Sequence, residues 1–134
     1  MGDNIQLEQL AELVKHLPIK LRSKGSIAAL EAAVKQNYIS VKEDHTLQWE
    51  AECKTLLAYF CGKAWSGDYS RYSRTCGKTI WKTGNIPFPS SEIDRLFNTN
   101  SLKQIRNNRK NTALPYRWQL IDELFDKRNR VNKW

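Results

Sequence analysis

The stretch SLKQIRNNRKN, Ser101 to Asn111, holds four cationic side chains and three asparagines, with only Leu102 and Ile105 as apolar residues. Each polar type has a partner on a nucleic acid: arginine donates bidentately to guanine, asparagine pairs with adenine, and lysine neutralises phosphate. At 3.6 residues per turn Leu102 and Ile105 share a stripe, while Lys103, Arg106 and Lys110 gather on an adjoining face. The spacing predicts a helix anchored by its first two turns that presents Arg106, Asn107, Arg109 and Lys110 outward. Asn108 depends on the helix rotation, and Arg109 falls near the apolar stripe. Ser101, at the helix start, offers a backbone contact to a phosphate. The blander reading is a solvated helix with surface charges.

Just upstream, Ile93, Leu96 and Phe97 mark a short helix that starts at Ser90 or Ser91 and carries Arg95. The break NTN and a cap at Asn100 or Ser101 then make residues 90–111 a helix-turn-helix pattern. Asn98 stands where many such turns place glycine, and Asp94 where a small residue often packs.

A second set of cations is interleaved with aromatics. Tyr69, Tyr72 and Trp81 alternate with Arg71, Arg74, Lys78 and Lys82, a mixture suited to stacking bases and contacting phosphates, or to packing at a domain edge. This segment reads as a loop ending in a short strand at Thr79–Lys82. TCGKTI is not a phosphate-binding loop, because Tyr72 occupies the position of its first glycine and no apolar strand precedes it. A third set lies in the tail at 127–134, where Arg128 and Arg130 suit the backbone of a nucleic acid; solubilisation is the plainer role.

These sets account for the charge. Residues 1–62 hold seven Lys and Arg against eight Asp and Glu, while residues 63–134 hold fifteen against six. A net charge of +8 on 134 residues, confined to one half, favours a polyanionic partner: duplex DNA first, RNA second. No apolar run approaches the ~20 residues of a membrane-spanning helix, and the N-terminus lacks a signal-peptide pattern. A cytoplasmic protein with no membrane partner is expected. Met1-Gly2 resembles a myristoylation start, but no second membrane signal accompanies it.

Chemistry of other kinds finds little support. Cys53, Cys61 and Cys76 form no C-x-x-C pair, so free buried thiols are expected, and His16 and His45 have no neighbouring ligand pattern. Glu50, Glu52, Asp68, Glu92, Asp94, Asp122, Glu123 and Asp126 show no catalytic spacing; capping or surface roles suffice for the helical ones. No metal, no cofactor and no enzymatic activity are expected; the enzymatic alternative is a metal-dependent nuclease whose distant carboxylates converge in space.

The elements that must position the cations are mainly helical. Leu7, Leu10, Val14 and Leu17 mark a helix over Ile5–Leu17, stopped by Pro18. Ser26 caps a second, Ala-rich helix. NYISV and TLQW around KEDH predict a hairpin from Tyr38 to Trp49, followed by a core helix from Trp49 to about Ala64 that contains Cys53 and Cys61. After Pro115, Trp118, Ile121, Leu124 and Phe125 mark a last helix that packs back on the core. At 40% hydrophobic residues with five tryptophans, the chain is expected to form one domain, 1–134: mainly α with a small β-hairpin, an α+β fold.

The order LQW, LLAYFCGKAW, FPSSEIDRLFNTNSLKQIRNNRK and IDELF, over roughly residues 46 to 126, resembles small proteins of bacterial conjugative and other mobile elements. It is also similar to the C-terminal region of regulators controlling excision of tetracycline-resistance conjugative transposons. That resemblance implies a helical, winged-helix-like DNA-binding role. The long SGDYSRYSRTCGKTIWKTGN insertion and the N-terminal part depart from those regulators. The expected function is non-enzymatic DNA binding, as a regulator or accessory protein of a mobile element. The alternative is a protein-interaction module whose apolar half meets a partner and whose basic half is its soluble surface.

Overall fold

The fold is seen in a computed structural model that describes residues 2–51 and 53–125. Among them are six helices and two antiparallel hairpins, so the α+β class holds with one more hairpin than the sequence suggests. The helix α1 runs from Gly2 to Val14 and a 3-10 turn from Ile19 to Leu21. Then come α2 (Lys24–Lys35), β1 (Ile39–Val41), β2 (Leu47–Trp49) and α3 (Lys54–Trp65). The basic half contains β3 (Tyr69–Ser73), β4 (Lys78–Lys82), α4 (Ser90–Leu96), α5 (Leu102–Arg109) and α6 (Trp118–Leu124). The tail with Arg128 and Arg130, and the carboxylates Glu52 and Asp126, lie outside the described residues. No helix among the described residues is long and apolar enough to cross a membrane.

The expected cap of α2 moves by three residues. Ser23, not Ser26, is the N-cap: its hydroxyl accepts from Ser26 N at 3.2 Å while Ser26 Oγ accepts from Ser23 N at 3.3 Å, a reciprocal capping box. Serine at the third helical position supplies the return bond that glutamate usually makes. The 3-10 turn is then held to the core by Trp65, whose indole N–H donates to Leu21 O at 3.0 Å.

In the first hairpin β1 and β2 pair Ile39 with Trp49 and Val41 with Leu47, which turns Ile39, Val41 and Leu47 inward. Gln6 binds this hairpin to α1 by accepting from Val41 N at 2.6 Å. The core helix starts later than its apolar pattern implies, because Trp49 belongs to β2 and Cys53 is the exposed N-cap of α3. From Leu56 to Gly62 every residue of α3 is buried. A helix apolar all round needs neighbours on every side, and α2, α5 and α6 supply them. Phe60 lies between Trp49, Trp65 and Phe125, with ring centroids at 5.7, 6.4 and 5.7 Å.

The segment expected to be a loop after Trp65 is the second hairpin, β3–β4, with Tyr69 opposite Lys82 and Ser73 opposite Lys78. Gly77 takes φ +70 in its turn, where a side chain would be strained. The free edge of β4 is covered by the chain that leaves α5: Trp81 N donates to Thr112 O at 2.9 Å, and Asn111 N to Trp81 O at 2.7 Å.

Candidate nucleic-acid interface

Successive residues of α5 sort into two faces. Leu102 and Arg106 are buried and Ile105 and Arg109 half-buried, while Lys103, Gln104, Asn107 and Asn108 are exposed. Arg106 stands one turn beyond Leu102, at i+4, and so belongs to the buried stripe. This overturns the expectation that Arg106 reads a base. Its guanidinium makes a forked pair with Asp68, Nε to Oδ2 and Nη2 to Oδ1, both at 2.7 Å. The side chains are 9% and 0% exposed, and the guanidinium lies 5.3 Å from the centre of the Phe88 ring.

Asp68 organises the junction of α3, β4 and α5. Besides Arg106 it accepts from Trp81 Nε1 at 2.9 Å and from Gly84 N at 2.8 Å, so four N–H groups satisfy one buried carboxylate. The carboxylate passes so close to α3 that a Cβ on Gly62 would stand 2.1 Å from Asp68 Oδ2. In the sequence Asp68 is one acid among many. The readable signal is the glycine inside an otherwise well-formed helix, which marks a close approach.

Arg109 is also drawn inward, its Nη2 donating to Ala113 O at 3.0 Å, so it is not the free outward cation that the spacing predicts. Lys103, Asn107 and Lys110 do reach solvent. Ser101 is exposed, has φ +68 and makes no side-chain cap bond. Arg95 is exposed too, but it lines a cleft facing α1 and the first hairpin.

The register of β3–β4 sorts the second set of cations. Residues paired across antiparallel strands share a face and alternate residues point oppositely. Ser70 and Trp81 form the inner face: Trp81 reaches Asp68, and Ser70 Oγ donates to Asp122 Oδ2 at 2.6 Å. Tyr69, Arg71, Lys78 and Lys82 therefore share the outer face, around Ile80. Tyr72 alternates to the Trp81 side yet is 62% exposed, and Arg74 is exposed at the turn. Lys82 Nζ donates to Asn111 Oδ1 at 2.8 Å, so this hairpin and the end of α5 adjoin.

Two further carboxylates, Asp122 and Glu92, pair within the fold. Asp122 on α6 accepts from Tyr59 OH at 2.6 Å and from Ser70, and pairs with Lys63 at 3.3 Å, clamping α6 to α3 and β3. Burial, then the Asp122 carboxylate, pushes the Tyr59 phenol far above its usual range. Glu92 pairs with Lys20 at 3.7 Å. Burial raises the Asp94 carboxyl, and its buried Oδ1 has no hydrogen-bond partner among the described residues. Cys61 is buried as expected, and burial raises its thiol, but Cys53 and Cys76 are exposed. One lies at a helix cap and the other in a hairpin turn, where apolar periodicity does not apply. Among the described residues no three His, Cys, Asp or Glu side chains are grouped to hold a metal ion.

No family model matches the chain, and neither a curated protein nor a solved structure is similar to it at a significant level.

Proposed function

We propose that this protein binds nucleic acid, with duplex DNA as its partner, through the solvent face of α5 and the outer face of β3–β4, and that it does so without catalysis. In this reading α4 and α5 act as a helix-turn-helix and the hairpin as the wing beside it. Gln104, Asn107 and Asn108 would face base edges while Lys103 and Lys110 meet phosphates. The observation that carries it is the pairing of two adjoining faces that hold Lys103, Lys110, Arg71, Lys78 and Lys82 and no carboxylate. Arg106 and Arg109 drop out of the contact set. A regulatory or accessory role in a mobile element belongs to the same reading and rests on the pattern of residues 46–126 alone.

The test is a fluorescence-anisotropy titration of labelled duplex across a salt series. Five phosphate contacts give a slope of about −4.5 in log K against log salt. Replacing Lys103 and Lys110, or Arg71 and Lys78, by alanine should make that slope shallower by about 0.9 per phosphate no longer neutralised, with circular dichroism unchanged. Absence of duplex binding at low salt, or a slope untouched by both double substitutions, would overturn the reading and leave the protein-interaction module.

A further inference from the structure

Between the end of α1, the β1–β2 turn and α4 lies a half-open cleft of about 330 Å³, within the roughly 300–1,000 Å³ range of small-molecule sites. Its floor is apolar: Leu13, Leu17 and Leu96 are buried there, and Pro18 adjoins them. His16 and His45 form one wall, their ring centroids 5.5 Å apart and their planes at 69°. His45 stands there because the turn holds it at φ +67, in the left-handed region.

Three charged side chains, Asp44, Glu92 and Arg95, line this floor. Glu92 is compensated by Lys20 at 3.7 Å. Arg95 is exposed, and its guanidinium has no hydrogen-bond or ion-pair partner among the described residues. Asp44 uses one oxygen, Oδ1, to accept from Thr46 N and Thr46 Oγ1, which leaves Oδ2 for a ligand. The Thr46 hydroxyl holds the Asp44 carboxyl below its usual range, so it remains charged at neutral pH. One anion and one cation thus face a common apolar floor.

We propose that this cleft binds a free amino acid with an apolar side chain, its ammonium on Asp44, its carboxylate on Arg95 and its side chain over Leu13, Leu17 and Leu96 beside the two imidazoles. A zwitterion pairs with both groups at once, which neither a simple acid nor a simple amine can do. The site is independent of the nucleic-acid reading and removes Arg95 from that face.

The test follows His16 and His45 by NMR while the full chain is titrated with L-leucine and with L-phenylalanine. Isovalerate, which lacks the ammonium, and isoamylamine, which lacks the carboxylate, serve as probes of each charge. L-leucine should give saturable shifts at both histidines, and each single-charge probe should bind about tenfold more weakly or worse. Arg95→Gln and Asp44→Asn, both exposed, should each weaken L-leucine to a similar extent, while Arg95→Gln leaves isoamylamine unaffected. No saturable shift with either amino acid at millimolar concentration, or equal affinity for L-leucine in both variants and the parent, would overturn the proposal.

Discussion

Replacing Arg106 by alanine separates two accounts of the basic half. A surface cation is worth little to the fold, and its loss changes stability by within about 0.5 kcal/mol. Arg106 instead meets a carboxylate with no solvent exposure, through two bonds of 2.7 Å, and removing one partner of such a pair costs about 3–5 kcal/mol. A chain of this length has roughly 7–20 kcal/mol in total, so about 15–70% of its stability is at stake. With a urea m-value of about 1–3 kcal/mol/M, the midpoint should fall by roughly 2 M, read from tryptophan fluorescence. Arg106→Lys should recover only part of this, since an ammonium cannot reproduce the fork. An apolar exchange of both partners should not rescue the fold either. Trp81 Nε1 and Gly84 N also depend on Asp68, and each donor left unsatisfied costs about 1–3 kcal/mol. A folded Arg106→Ala protein within about 0.5 kcal/mol of the parent would refute the buried pair and return this guanidinium to the proposed binding surface.

Gly62→Ala should destabilise by about 3 kcal/mol in thermal denaturation, because the new Cβ would overlap an Asp68 oxygen that four N–H groups hold in place; the ~1 kcal/mol gain in helix propensity does not offset it. Tyr59 has a raised folded pKa, so its contribution is fully present below the unfolded value of about 10 and is lost as pH rises toward the folded one. Alkaline unfolding should therefore be less steep in Tyr59→Phe, and an unchanged pH profile would count against the Tyr59–Asp122 bond. In native protein Cys53 and Cys76 should react rapidly with a thiol reagent and Cys61 only on denaturation; one or three rapid thiols would contradict these placements.

Several features are legible because they rest on local rules. The α5 helix, its Leu102 anchor and the apolar run of α3 follow from residue spacing and propensity. The first hairpin follows from two β-rich runs around a polar turn. The second is hidden because Tyr69–Ser73 has no apolar alternation; its strand forms because β4 and the 111–113 segment offer backbone partners. Cys53 is misleading for a related reason, since periodicity continues through a helix cap although the helix does not.

The concentration of cations after residue 62 is fixed by the sequence, and so is the amphipathic division of α5 to within a side chain or two. Which cations reach solvent is decided only in three dimensions. Arg106 and Arg109 sit at the boundary of the apolar stripe, where a small rotation moves a side chain from one face to the other. That rotation is set by Asp68, 38 residues away, through a carboxylate that needs a cation once it is buried. Local spacing contains no term for such a partner, and so the arginine best suited by type to read a base is the one the tertiary structure turns inward.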